Sequence, residues 1–261
     1  MPLTDLIRYF NQSDLAGEST LYAEGERIAA WHQGMRLRSL FQPIVALENQ
    51  RIVGHQAFLA ATLDDGSRLP AEAAYERHAE DEALVHFDRL CRTLHALNFL
   101  AQRRQTGGYL QLSIHPRHLL AVRSKHGLVF EAILRRCGLA PEDIVLELVN
   151  DALTHDPRWL AALGSYRDRG YRIALTGASE SNSIFVPDII KAPLSELLAA
   201  QHPVQLHASN LQTLLDLQQA QTGKIALAQG PLFGLPQPDC LATHSSAGVA
   251  YNAHTFVRES A

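Results

Sequence analysis

From about residue 40 onward, short runs of consecutive apolar residues alternate with longer stretches whose apolar positions recur every three or four residues. The first spacing suits strands buried on both faces and the second suits amphipathic helices, so the alternation predicts an α/β fold. Eight strand candidates stand out: LFQPIVA (40–46), RIVGHQAFL (51–59), YLQLSIH (109–115), IVLELVN (144–150), RIALTG (172–177), DIIKAP (188–193), VQLHAS (204–209) and KIALAQG (224–230). Helical patterns lie between them, a long double one over 70–103, 116–137 begun by Pro116, 157–169 begun by Pro157, a short one over 194–201, and 210–222 opened by Asn210. Eight such strands with interposed helices predict a closed barrel rather than an open sheet. Only LENQ separates the first two strands, and a parallel crossover needs roughly a dozen residues, so the first strand should run antiparallel to the second. Residues 1–37 form a separate N-terminal extension, with a helix expected at 3–10 and a second helical stretch around 24–36. The barrel is expected over 38–238, and residues 239–261 have the aperiodic pattern of a poorly ordered or surface-laid tail.

Composition narrows the partners. With 23 Lys and Arg against 27 Asp and Glu, the net charge of −4 lacks the positive field with which a nucleic-acid binder collects phosphates. Cys91, Cys137 and Cys240 are odd in number and lack CxxC spacing, which argues against a disulfide framework or structural zinc and for a reducing cytoplasm. The opening MPLTDLIRYF places Asp5 and Arg8 where a signal peptide needs its apolar core, and no apolar run approaches about eighteen residues. Neither export nor a membrane span is expected.

Catalytic groups of such barrels sit at the C-terminal strand ends. The polar residues there are Gln56, Ser113, His115, Glu147, Asn150, Thr176, Lys191, His207, Asn210 and Gln229, among which Glu147 is the single carboxylate.

These strand ends carry a resemblance. FQPIVALENQRIVGHQAFLA is similar to the opening of the bacterial EAL domain, in which a QPIV strand, a short turn and a second strand lead to a Glu-Ala-Leu signature. LSIHPRHL resembles the family's Asn-containing third strand, VLELVND its Glu-x-Thr-Glu strand, RIALTGAS its Asp-Asp-Phe-Gly strand, DIIKAP its Lys-Ile-Asp strand, VQLHASN its Ala-Glu-Gly-Val-Glu strand and QGPLFGLP its closing segment. The resemblance covers roughly residues 38 to 238 and implies a modified TIM-type (β/α)8 barrel with the first strand antiparallel. It also implies hydrolysis of cyclic di-GMP with divalent metals or, in degenerate members, binding of the nucleotide or of a protein without hydrolysis.

Carried over position by position, the family's signature Glu is Gln56, its metal-binding Asn is Ser113, its adjacent Asp pair is Thr176 and Gly177, and its two seventh-strand Glu are His207 and Asn210. The family's Arg two residues past the signature is Ala60, and the signature Leu is Phe58, which narrows the floor of the site. Gln42, Glu147, Lys191 and Gln229 remain. Two-metal hydrolysis holds hard cations about 4 Å apart with several carboxylate oxygens, and one glutamate facing a lysine does not supply them. The expectation is a catalytically inactive EAL-like regulatory module, cytoplasmic and without a cofactor, that acts by protein–protein interaction, with Glu147 and Lys191 forming an ion pair. One alternative is a non-hydrolysing cyclic di-GMP receptor, for which loss of a guanidinium at Ala60 removes about 1.5 to 3 kcal/mol of phosphate binding. A second is an enzyme with an altered metal site at His115, Glu147 and His207, where two imidazoles and a carboxylate could converge. The loop GASESNS (177–183) lacks the family's Phe-Gly-Thr-Gly pattern, which in the family links dimer contacts to the active site, and the connection from Lys191 to Val204 is short. Both leave the flank open, and Leu194, Leu197 and Leu198, at helical spacing, are the candidate partner surface.

Overall fold

In the computed structural model, which describes residues 3–12, 19–122, 127–149, 157–177, 185–199 and 204–242, the chain opens with helix α1 (Leu3–Gln12) and a β-hairpin. The hairpin strands β1 (Ser19–Glu24) and β2 (Arg27–His32) lead into β3 (Met35–Ala46). The helix expected over 24–36 is therefore replaced by strands. The reason is local: Ile28, Ala30, His32, Met35 and Leu37 are buried at period two, and Gln33 and Gly34 both take positive φ, +46° and +74°, as a tight type I′ hairpin turn requires.

Strand β3 shows two regimes of burial. From Met35 to Leu40 buried residues alternate with less buried ones, as in a sheet wetted on one face, whereas Phe41 to Val45 are all buried. It runs unbroken through residue 38, where the sequence pattern divides extension from barrel. The partner β4 (Arg51–Leu63) pairs with it antiparallel along its whole length, joined by the tight turn through LENQ. A short β5 (Arg68–Leu69) adds to the far edge of β4.

Thereafter strands and helices alternate: α2 (Ala71–Glu76), α3 (Asp81–Thr106), β6 (Tyr109–Ser113), α4 (Pro116–Ala121), α5 (Leu128–Cys137), β7 (Ile144–Val149), α6 (Pro157–Arg167), β8 (Arg172–Thr176), β9 (Ile189–Pro193), α7 (Leu194–Ala199), β10 (Gln205–Ser209), α8 (Leu214–Thr222) and β11 (Leu227–Ala228). Strands β4, β6, β7, β8, β9, β10 and β11 pair parallel in that order, and β3 closes the ring by pairing antiparallel with both β4 and β11. This is the closed eight-stranded barrel with an antiparallel first strand that the sequence predicts. Gly54 and Gly108 allow β4 and β6 to meet: a Cβ on Gly54 would lie 2.7 Å from the Tyr109 carbonyl oxygen, and one on Gly108 would lie 2.5 Å from that of Val53.

Two helix boundaries differ from the expected ones. The stretch 116–137 divides into α4 and α5, with Gly127 at φ +79° preceding α5 and Gly138 at φ +74° ending it. Helix α8 opens at Thr213 rather than Asn210, because Thr213 and Asp216 form a reciprocal capping box while Asn210 sits at φ +59°. The tail beyond residue 242 lies outside the described residues.

The N-terminal hairpin is attached through two asparagines that imitate a neighbouring strand. The Asn11 side chain donates to the Leu21 carbonyl and accepts from the Leu21 N–H, both at 2.8 Å, along the outer edge of β1. Asn98 of α3 does the same at Ile28 of β2, at 2.8 and 2.9 Å, where β2 has diverged from β3. Each amide, half-buried at Asn11 and buried at Asn98, thus satisfies two backbone groups that would otherwise be orphaned.

Candidate functional site at the barrel mouth

The strands deliver their polar ends to one face of the barrel. Glu147, on β7, is the centre: its Oε1 accepts from Thr176 Oγ1 at 2.6 Å and from Lys191 Nζ at 3.1 Å. Its Oε2 accepts from Gln56 Nε2 through a short hydrogen bond, from Gln111 Nε2 at 3.0 Å and from Ser113 Oγ at 3.5 Å. Lys191 also donates to Gln56 Oε1 at 2.6 Å, so the Gln56 amide bridges anion and cation. Glu147 and Lys191 are each 6% exposed. Burial opposes ionisation of Glu147, but Lys191 and the hydrogen bonds from Thr176 and Gln111 outweigh it and hold the carboxyl below the usual range. The ion pair expected from the sequence is therefore present, and its members are held by strands far apart in the chain.

The position of Gln56 decides the electrostatics. A second carboxylate there would face Glu147 at hydrogen-bonding distance and would call for a cation or a proton. The amide donates to Glu147 instead, and the cluster balances with one negative and one positive charge.

Gln111 is a site residue that strand-end reasoning missed. It lies two residues before Ser113, on the same face of β6, in register with Gln56. A lone polar residue inside the apolar run YLQLSIH, at period two from Ser113, was the available signal.

The other sequence-predicted residues have varied fates. Gln42 donates to the Gly234 carbonyl at 2.8 Å and ties the closing segment to β3. Gln229 is 3% exposed, and its backbone N–H and carbonyl bridge Ala208 and Leu211. Ala60 lies opposite Arg38 in the antiparallel part of β4. Gly177 takes φ +103°, a conformation in which a side chain is strained, and donates to the Lys191 carbonyl at 2.8 Å. Asn210 is exposed. His207 is fully buried, in register with Lys191 on β9, and neither ring nitrogen has a protein hydrogen-bond partner among the described residues. Burial, reinforced by Lys191, pushes it down to about 3, so the imidazole is neutral. Asn150 and residues 178–184 lie outside the described residues.

His115 does not join Glu147 and His207. It sits before α4, where its backbone N–H donates to Asp88 and its ring stacks on Tyr75 with centroids 4.8 Å apart. The altered metal site proposed for these three residues is thus not assembled: the strand ends before His115, and the ring turns into the helical layer. Among the described residues no group of three or more His, Cys, Asp or Glu is placed to hold a metal ion. The divalent metals that the family resemblance implies do not fit this residue set, whose one carboxylate is already occupied by five donors. The candidate partner surface also changes. Leu197 is 2% exposed and packs with Val45, Ala192 and Ala208, sealing the barrel flank, while Leu194 is half-buried and Leu198 is 45% exposed.

Beside the mouth, a cleft of about 480 Å³ opens between β4, α2, α3 and β6. Phe58, Leu59, Tyr75, Ser113, His115 and Val149 are among its walls, so it adjoins the Glu147 cluster at Ser113.

A closed barrel with one antiparallel strand and polar groups at a single mouth defines a TIM-like class of fold. Residues 28–187 match the family model of the EAL domain, and the chain belongs to that family. No curated protein matches the sequence. Among solved structures it is similar to Klebsiella pneumoniae BlrP1 in complex with manganese and cyclic di-GMP, at 18% identity and a TM-score of 0.66 over 90% of this chain and 64% of that one. It is also similar to Bacillus subtilis YkuI in complex with cyclic di-GMP and calcium, at 18% identity and a TM-score of 0.66 over 85% of this chain and 61% of that one. A standalone EAL protein from Vibrio cholerae in its cyclic di-GMP-bound form aligns at 15% identity and a TM-score of 0.61, over 82% of this chain and 98% of that one. The chain thus spans less than two thirds of BlrP1 and YkuI. Among the described residues no helix is long and apolar enough to cross a membrane.

Proposed function

We propose that this EAL domain is a cytoplasmic regulatory module in cyclic di-GMP-related signalling that does not hydrolyse the nucleotide and acts by binding a protein partner. The observation that carries this reading is the saturation of Glu147 by Gln56, Gln111, Ser113, Thr176 and Lys191. Cleavage of a phosphodiester requires an activated water and stabilisation of charge on the leaving oxygen, which two metals supply. Here the carboxylate is engaged by protein donors, and the adjoining positions contribute amides, hydroxyls and a neutral imidazole. A cation entering beside Lys191 would also meet its positive charge at close range.

The test is incubation of the purified protein with cyclic di-GMP and Mg²⁺ or Mn²⁺, followed by chromatography. No linear dinucleotide is expected. Metal-dependent turnover that disappears in Glu147→Ala would refute the reading, and tight nucleotide binding without turnover would move the function to a receptor.

A further inference from the structure

The cleft beside the mouth has the wrong charge for the ligand of a nucleotide-binding barrel. Glu72 and Glu76, one helical turn apart on α2, both line it, and among the described residues neither has an ion-pair partner. Among the described residues the only Lys or Arg in the lining is Arg92, which is 2% exposed and held by Asp88 at 2.7 Å. Arg77, next to Glu76, does not line the cleft. The two lining histidines add no compensating charge: burial pushes His95 down to about 4, and burial also lowers His115 despite Asp88. A dianionic dinucleotide would face two uncompensated carboxylates.

The rest of the lining favours an apolar body. Phe58 and Tyr75 are half-buried, the Tyr75 ring is stacked on His115, and Val149 stands 49% exposed at the rim. The volume of about 480 Å³ suits an inserted side-chain cluster or small ligand. Aromatic faces together with free carboxylates attract a cation carried on an apolar or aromatic stem.

We infer that this cleft is the docking site for a basic segment of a protein partner, with Arg or Lys paired to Glu72 and Glu76 and an aromatic side chain lodged against Phe58 and Tyr75. The inference rests on the reading of the domain as a protein-binding module and assigns that module its contact surface and its partner's chemistry. Charge complementarity selects the occupant: the carboxylates reject phosphate and carboxylate ligands and accept guanidinium or ammonium.

The test is calorimetric titration of the full chain with end-blocked Arg-Trp-Arg, with the same tripeptide carrying citrulline in place of arginine, and with cyclic di-GMP. The arginine peptide is expected to bind saturably and to weaken as salt rises from about 50 to 500 mM. Its affinity should fall about tenfold or more in E72Q/E76Q, in V149K and with the citrulline peptide. Glu72, Glu76 and Val149 are exposed, so these variants retain the fold. Absence of saturable binding to the native chain, equal affinity for the citrulline peptide, or unchanged affinity in E72Q/E76Q would overturn the inference while leaving the inactive-site reading standing. Turnover of cyclic di-GMP would refute that reading without bearing on the peptide result.

Discussion

Acidification should unfold this protein well before its carboxylates titrate. His32, His55 and His95 are buried and pushed down to about 4, and His207 to about 3, with burial the leading cause in each case. The hydrogen bonds around His32 explain why a proton is unwelcome. His78 Nδ1 lies 3.0 Å from the Ala74 carbonyl and must donate, which leaves its Nε2 as the acceptor of the His32 Nε2 proton at 2.8 Å. His32 Nδ1 then accepts from Ser19 Oγ at 2.7 Å, and Ser19 in turn accepts from His86 Nε2 at 3.0 Å. Every proton in this chain is assigned, and an added one reverses a buried hydrogen bond. The Nε2 of His55 similarly accepts from the Leu241 N–H at 3.1 Å.

A histidine whose folded value is depressed contributes stability in full above its unfolded value of 6.5, and loses it as pH falls from there toward the folded value. At pH 5 each of the four has lost roughly 2 kcal/mol, about 8 kcal/mol together, comparable to the whole stability of a typical domain. Glu147 and Asp88, both held below their ordinary values, add further loss only below about pH 4.5. Urea unfolding followed by circular dichroism at pH 7.5, 6.5, 5.5 and 5 is the assay. The free energy should be nearly constant down to pH 6.5 and then fall by about 5 kcal/mol per pH unit toward pH 5, equivalent to nearly four protons taken up on unfolding. A variation below about 2 kcal/mol over the whole range, or uptake of fewer than two protons, would refute the argument.

Lys191→Met leaves Glu147 buried without its counter-ion and should cost about 3 to 5 kcal/mol by urea unfolding, whereas Lys191→Met/Glu147→Gln, which removes both charges but keeps an acceptor for the neighbouring donors, should recover most of that loss. If the double variant is as unstable as the single one, the pair is not what the charges require. Asn98→Leu strips the Ile28 N–H and carbonyl of their partners and should cost about 2 to 3 kcal/mol, with amide hydrogen exchange at Ile28 of the hairpin accelerated more than in the barrel strands. Exchange at Ile28 that stays unchanged would show that the strand does not depend on the amide.

Local pattern carried the barrel. Runs such as IVLELV and RIALT are too apolar and too short for surface helices, and LENQ is too short for a crossover, so the eight strands and the reversed first pair follow from chain length and solvent exclusion alone. The polar residues that close those runs likewise marked Glu147, Thr176 and Lys191 as site candidates. What the chain could not reveal by itself is how those ends meet. Gln56 and Lys191 are 135 residues apart in sequence, and only closure of the ring brings the amide between lysine and glutamate. The hairpin at 19–32 escaped because its alternation is built from Ala and His as well as Ile and Leu, and because its strands are completed by side chains of α1 and α3 rather than by neighbouring backbone. His115 and Leu197 show the same limit from opposite sides. A strand that ends before His115 turns the imidazole away from the mouth, and packing against Val45 and Ala208 draws Leu197 inward. Spacing along a chain determines which residues share a face, whereas the direction in which that face points is set by what the rest of the molecule packs against it.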